Sequence, residues 1–325
     1  MNEYLFSAFI GYVDLHINIL VCVCLYIFMS ELVIGTAQLG LDYGKTNMNG
    51  KPSAVLAREM IGYAIDNGVV TFDTARGYGD AEQLLSYANR CSRDVVVVTK
   101  LGKIDHDGLS GIDIENGVRE SVRLSCESLG VPMLKVLLLH SYEAYKNGDI
   151  WSTLLKLRNE GTISKLGVSI YDVDEGIDVL GDSDVQYMQL PVNIIDRQWN
   201  NVTFKDMVAR RKDVVIHARS IFLQGVLLGD RKFWPKGCDA GLYVERLEEL
   251  MDRFCFSSKT ELCLSYVKSL SWIDGIVIGS ETMEQLRENI RLFMCARLLE
   301  TSEVREAEEA FMNVPSSVTD PRLWS

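Results

Sequence analysis

From residue 32 onward the chain alternates between two patterns of apolar and polar positions. Short runs dense in β-branched and aliphatic residues lie at 32–36 (LVIGT), 69–73 (VVTFD), 94–100 (DVVVVTK), 133–140 (MLKVLLLH), 163–169 (ISKLGVS), 184–190 (DVQYMQL), 213–219 (DVVIHAR) and 273–279 (IDGIVIG). Runs of this kind predict strands. Between them, apolar residues recur every three or four positions at 54–67, 80–90, 112–129, 149–160, 173–180, 202–211, 242–256, 260–270, 283–293 and 302–312, which predicts helices. Ser53 is placed to cap the first of these, and Gly68, Gly130 and Gly161 stop helices where they stand.

Each of the eight strands is thus followed by a helix, and several strands are apolar on both faces. That is the signature of parallel strands covered by helices. No Pro- or Ser-rich linker interrupts the ladder, so 31–325 reads as one unit: a closed (β/α)8 TIM barrel with a C-terminal helix and tail. The rival is an open, doubly wound sheet. Its nucleotide-binding version places GxGxxG after the first strand, and GTAQLGLDYG does not match that spacing.

Residues 1–30 stand apart. The stretch 9–28, FIGYVDLHINILVCVCLYIF, has about the length of a membrane span. Asp14, His16 and Asn18 interrupt it, and no Lys or Arg occurs before Lys45, so the basic flank of a signal or anchor segment is missing. We read 1–30 as an extension outside the native enzyme, with a membrane-associating helix and an extra packed helix as alternatives. A start at Met29-Ser30 suits a cytoplasmic enzyme.

Composition adds constraints. The formal net charge is −12, which disfavours nucleic acid and acidic membrane surfaces as partners. Eight cysteines, at 22, 24, 91, 126, 238, 255, 263 and 295, form no CxxC pair and read as reduced, mostly buried thiols. Histidines 16, 106, 140 and 217 show no zinc spacing, so no metal is expected.

In a barrel, chemistry sits at the carboxyl ends of the strands. Those ends supply Asp73, Lys100, His140, Ser169, Gln189, His217, Arg219 and Gly279, and the loop after the second strand adds Tyr78. Each has an ordinary alternative: Asp73 as a loop carboxylate or cap, Tyr78 as a rim aromatic, Lys100 as a strand-end lysine, His140 as a satisfied histidine near the core. Together, a carboxylate, an ammonium, an imidazole and a phenol on one face suit proton transfer beside a carbonyl. A nearby Lys⁺ favours phenolate, which predicts a Tyr78 pKa below the free value of about 10. Asp73 would hold Lys100 charged, and His140 would orient the carbonyl oxygen or assist proton transfer. No nucleophile–base pair and no second facing carboxylate is evident, which disfavours covalent hydrolysis and glycosidase chemistry.

The segment FDTARGYGDAEQLL (72–85) resembles the aldo/keto reductase superfamily, a (β/α)8 barrel that reduces carbonyls with NAD(P)H. The resemblance extends over roughly 32–292 through VVVVTK, VLLLHS, LRNEGTISKLGVSIYD, MQLPVNIID, ARSIFLQGVLLG and IVIGSETMEQLREN. It implies a catalytic set of Asp73, Tyr78, Lys100 and His140, with Glu82 as the acidic residue that follows. For the cofactor it implies Gly35, Thr36, Ala37 and Asp73, with Ser169 and Gln189 on the nicotinamide amide. Ser220, Leu223 and Gln224 would hold the pyrophosphate, and Gly279, Ser280, Thr282, Gln285 and Asn289 the adenosine side.

Two positions depart from the family. Ile170 stands where an Asn is usual, and Arg219 where an aromatic stacks on nicotinamide; a guanidinium plane can also stack. Many NADPH-preferring members carry Lys and Arg where this chain has Gly279 and Gln285, and Glu281 would oppose a 2′-phosphate. Family habit favours NADPH; these residues leave NADH open. The loop GTAQLGLDYGKTNMNGKPS is similar to a branch associated with surface-sugar biosynthesis, which implies a sugar-derived carbonyl substrate. Tyr43 and Trp199 are candidates for the substrate wall or for packing. The alternative function is a cofactor-binding regulatory barrel with little turnover, which Ile170 and Arg219 favour and the complete catalytic set opposes.

Overall fold

A computed structural model describes residues 30–91, 94–104, 108 and 110–324. The extension or membrane-associating helix expected at 1–29, with His16, Cys22 and Cys24, lies outside these described residues, and so does His106.

The strands are β1 (Glu31–Gly35), β2 (Thr71–Asp73), β3 (Val96–Lys100), β4 (Leu134–Leu139), β5 (Ile163–Ser169), β6 (Tyr187–Pro191), β7 (Val215–Arg219) and β8 (Gly275–Gly279). All neighbours pair in parallel, in sequence order, and β8 closes on β1 through Glu31↔Gly275 to Gly35↔Gly279. The expected TIM barrel is therefore present. The strands are shorter than their apolar runs because the runs include residues that pack under helices without joining a ladder. Val69 is buried beside β2 in this way.

The helices follow the amphipathic segments. Ala54–Asp66 is capped by the Ser53 side chain, and Gly111–Leu129 begins under Ser110 and ends at Gly130 with φ 66°. Val173–Gly181 carries a capping box between Asp172 and Glu175. Two helices, Ala240–Arg253 and Lys259–Lys268, separate β7 from β8. Short turns at Ala37–Gly40, Tyr142–Lys146 and Ser316–Thr319 were not apparent from periodicity, since four or five residues give no helical repeat. Among the described residues, no helix is long and apolar enough to cross a membrane.

Strand parity then positions the site. Side chains two residues apart share a face of a strand. Val98, Val136, Leu138 and Tyr187 form a small apolar cluster separate from the main core, with Val96 and Val215 against it. One step of two from these positions gives Lys100, His140, Gln189 and, along β7, His217 and Arg219. At the opposite end of β1, Thr71 Oγ1 donates to Glu31 Oε2 at 2.8 Å, and Tyr187 Oη and His217 Nε2 lie 2.7 Å apart. The interior thus runs from a polar amino end through an apolar middle to the polar carboxyl end.

The thiol expectation needs correction. The six described cysteines are free, but only Cys263 is fully buried, while Cys91, Cys255 and Cys295 are exposed. Cys91 and Cys295 end their helices, and Cys255 follows one, beyond the positions that face the core. Among the described residues, no cluster of His, Cys, Asp and Glu could hold a metal ion.

Candidate active site

The loop that carries Tyr78 is fixed before any site chemistry is considered. It leaves β2 by continuing the ladder: Thr74 N donates to Val98 O at 2.8 Å and Arg76 N to Lys100 O at 3.1 Å. Glu82, almost fully buried, accepts from Thr99 Oγ1 at 2.7 Å and from Arg76 Nη1 at 3.2 Å. Buried carboxylates need such partners. The far side of the loop abuts the turn Ala37–Gly40. A Cβ on Gly40 would lie 1.9 Å from Tyr78 O, and one on Gly79, whose φ is +57°, would lie 2.4 Å from Gly40 O. These two glycines set the height of the phenol, and no motif reading singled them out. Gly40→Ala is expected to lower kcat at least tenfold and to reduce the melting temperature, measured by steady-state kinetics and thermal unfolding.

At the centre is a buried ion pair. Lys100 Nζ lies 2.6 Å from Asp73 Oδ1 and 2.9 Å from Thr74 O, with the two side chains 1% and 7% exposed. Burial pulls Lys100 below the usual ammonium range, and Asp73 opposes that pull. Lys100 Nζ stands 5.2 Å from the centroid of the Tyr78 ring, and the Tyr78 and His140 rings meet edge-on with centroids 5.9 Å apart.

The expectation of an acidified phenol is not met. Burial first, and the Asp73 carboxylate second, push Tyr78 above the ordinary range, with Arg219 opposing. The Lys100 charge is largely spent on Asp73. His140 moves the other way, to about 4, because the surrounding protein and the charges of Lys100 and Arg219 disfavour imidazolium, although its ring opens onto the cavity. At neutral pH the site therefore holds a protonated phenol beside a neutral imidazole.

These groups line one cleft of about 630 Å³. The cleft brings together Gly35, Ala37, Asp73, Tyr78, Lys100, His140, Ser169, Gln189, Arg219, Ser220, Gln224, Gly279, Gln285 and Asn289. Four other sequence candidates stand behind its lining. Thr36 Oγ1 donates to Asp73 O, Leu223 is fully buried, Ser280 Oγ accepts from Asn289 Nδ2, and Thr282 caps the helix Met283–Cys295. Tyr43 reaches the cleft, but Trp199 does not: it is 3% exposed and packs on Phe204 with ring centroids 5.1 Å apart, so it belongs to the core.

Several features fit a dinucleotide. Gln189 Nε2 donates to Asp73 Oδ1 at 2.7 Å, an orientation required because a carboxylate only accepts. That leaves buried Gln189 Oε1 without a donor among the described residues, as a carboxamide N–H would supply. Beyond β7, Ser220, Leu223 and Gln224 adopt φ values of 59°, 50° and 55°, a strained turn of the kind kept at ligand sites. At the far end, the Gln38 side-chain amide lies over Gly279, where a Cβ would come within 2.2 Å of its Oε1, so any larger residue there would have to displace Gln38. Glu281, Glu284 and Glu288 line that end. Gln38 and Tyr171 were missed by sequence reading; Tyr171, two residues past Ser169 on the same face, could have been found by strand parity.

Residues 31–311 match the aldo/keto reductase family. The chain belongs to that family. Its members are NAD(P)H-dependent oxidoreductases acting on carbonyl substrates. Among curated relatives, the D-arabinose 1-dehydrogenase of Saccharomyces cerevisiae is 33% identical over 155 residues, which cover 45% of this chain and only 44% of the yeast enzyme. Among solved structures, an aldo-keto reductase of Bacillus halodurans aligns with TM-score 0.69 at 19% identity, covering 91% of this chain and 95% of that one. The glycerol dehydrogenase of Gluconobacter oxydans aligns with TM-score 0.67 at 19% identity, over 90% and 94% of the two chains. These two structures share the fold of this aldo/keto reductase.

Proposed function

We propose that the chain reduces an aldehyde or ketone to an alcohol with NAD(P)H, with Tyr78 as the proton donor. The carrying observation is a phenol that burial keeps protonated, next to the Asp73–Lys100 pair and a neutral His140 in one cleft. The nicotinamide, when bound, supplies the hydride. Ser169 and the free Gln189 Oε1 are suited to hold its carboxamide, and the strained turn from Ser220 to Gln224 to approach its pyrophosphate. The carbonyl oxygen then lies between Tyr78 Oη and the His140 ring. As negative charge grows on that oxygen, the Tyr78 proton moves to it. Lys100 stabilises the phenolate left behind, and Asp73 keeps Lys100 in place and cationic.

The pH dependence follows from the protonation states. In reduction, the acid form of Tyr78 persists through the alkaline range, so loss of the phenol proton sets no limb there, and the alkaline fall comes where Lys100, held below the usual ammonium range, loses its charge. The acid limb falls near pH 4, where His140 takes up a proton. In alcohol oxidation the phenolate is the active form, and its fraction rises about tenfold per pH unit below the phenol pKa. Rate profiles in both directions check this, and an acid limb of reduction that sits near neutrality would contradict it.

We further propose NADH as the preferred cofactor. The adenosine end carries Glu281 and Glu284, and Gln285 Oε1 accepts from Glu281 N; Glu288 is paired with Arg291. No Lys or Arg lines that end among the described residues. A 2′-phosphate would meet carboxylates there, against the NADPH habit of the family. NADH is expected to bind at least tenfold more tightly than NADPH in a fluorescence titration. The yeast relative's name makes sugars the first carbonyls to try, beside simple aldehydes.

A further inference from the structure

Arg219 is the cation in this cleft that the mechanism does not use. It ends β7, and its guanidinium is held in three ways. Nη2 donates to Ile170 O at 3.0 Å, Nη1 approaches Ser220 Oγ at 3.4 Å, and Cζ lies 4.1 Å from the centroid of the Tyr171 ring. The opposite face of Tyr171 is covered by Arg322, from the C-terminal segment, at 3.7 Å. The two guanidinium groups differ in one respect. Arg322 is neutralised by Asp320 through Nη2 to Oδ2 at 2.8 Å and Nε to Oδ1 at 3.1 Å. Arg219 pairs with no carboxylate among the described residues, although the chain carries a net charge of −12.

Charge is therefore divided along the cleft. At the catalytic end, Asp73 and Lys100 cancel, His140 and Tyr78 are neutral, and Arg219 leaves one positive charge. The adenosine end carries acids. A guanidinium has five N–H donors in a planar fork, and the two contacts above leave donors free for a planar or tetrahedral oxyanion. Its position beside the reacting groups is also felt electrostatically. Arg219 opposes the rise at Tyr43 and Tyr78 and adds to the depression at Lys100 and His140. A half-buried cation without a counterion is a ready partner for an anion, and a ligand that brings one gains a charge-assisted hydrogen bond.

We propose that Arg219 selects the substrate: the carbonyl compound carries a carboxylate or phosphate, and Arg219, steadied by the Tyr171–Arg322 stack, binds that anion while the carbonyl faces Tyr78. This deepens the reductase reading and rests on it. It assigns to substrate recognition a position where the family resemblance implies stacking on nicotinamide.

The test uses matched carbonyl pairs on the full-length enzyme: succinic semialdehyde against butanal for a carboxylate, and glyceraldehyde 3-phosphate against glyceraldehyde for a phosphate. At least one anionic partner is expected to exceed its neutral partner tenfold or more in kcat/KM. Arg219→Gln should bring that ratio towards one mainly through KM, and Arg219→Lys should restore part of it. A turnover-free arm titrates the cofactor-loaded enzyme with butyrate and glycerol 3-phosphate by calorimetry; binding in the parent protein that Arg219→Gln abolishes supports the proposal. A ratio near one for both pairs in the parent enzyme overturns it. So does a preference that survives Arg219→Gln, or an Arg219→Gln variant that raises the cofactor Kd and leaves the preference intact. Anion binding lost in Arg219→Gln, without turnover of any carbonyl, would leave the anion site standing and sink the reductase reading alone.

Discussion

Replacing Tyr78 by Phe is expected to lower kcat for carbonyl reduction by about 10²- to 10⁴-fold, the usual contribution of a positioned general acid. The loss is confined to one hydroxyl. The ring stays in its edge-on contact with His140 and under Lys100, and neither contact needs the oxygen. Cofactor affinity should change less than twofold, because the groups suited to bind it, Ser169, Gln189 and the Ser220–Gln224 turn, lie on other strands. Melting temperature should be unchanged or slightly higher, since among the described residues the phenol has no hydrogen-bond partner whose loss would cost stability. Cofactor titration and steady-state kinetics on one preparation separate these effects. A Phe variant with near-full rate would remove Tyr78 from the mechanism.

The second large effect is on the ion pair. Asp73→Asn leaves Lys100 buried without a full countercharge, and Lys100→Met leaves Asp73 so. Removing one partner of a buried pair costs roughly 3–5 kcal/mol, far above the return from a surface pair. Both variants should unfold at lower urea concentration, with activity reduced at least 100-fold. The double variant Asp73→Asn, Lys100→Met should regain part of the stability and none of the activity, a non-additivity that a double-mutant cycle measures. Asp73→Asn also has a signed pH dependence. Lys100 is depressed in the folded state, so the unfolded chain binds the extra proton, and stability rises with pH between the folded value and the ordinary ammonium range. With Asp73 gone the depression deepens, so the deficit of Asp73→Asn should be larger at pH 7 than at pH 9.5. An equal deficit at both would contradict the assignment.

Much of the architecture was legible because parallel strands covered on both faces leave dense apolar runs, of which VVVVT before Lys100 is the clearest. The same parity that makes those strands places Asp73, Lys100, His140, Ser169, Gln189 and Arg219 on the inner face at one end. The protonation states were not legible. Spacing puts Lys100 near Tyr78, but only the packed structure shows that Lys100 is committed to Asp73 and that burial outweighs its charge at the phenol. Steric determinants were hidden for a similar reason. Gly40 and Gly79 lie 39 positions apart, and nothing local announces that their backbones touch. Trp199 looked like a substrate-wall aromatic because a sequence gives residue type without direction; in the fold it turns to Phe204. The Tyr171–Arg322 stack joins β5 to the last residues of the chain, a contact no periodicity can reveal.

The central claim is that this cleft passes a hydride from a bound nicotinamide to a carbonyl carbon. The most direct measurement is a reaction of the purified enzyme with NADH carrying deuterium at both C4 positions, over a panel of neutral and anionic aldehydes, ketones and sugars, with the alcohol product read by mass spectrometry. The account predicts one deuterium on the former carbonyl carbon of at least one product, formed at a rate that Tyr78→Phe reduces at least 100-fold. Failure to bind or oxidise either nicotinamide cofactor with any member of the panel, or an alcohol product without the label, would contradict it.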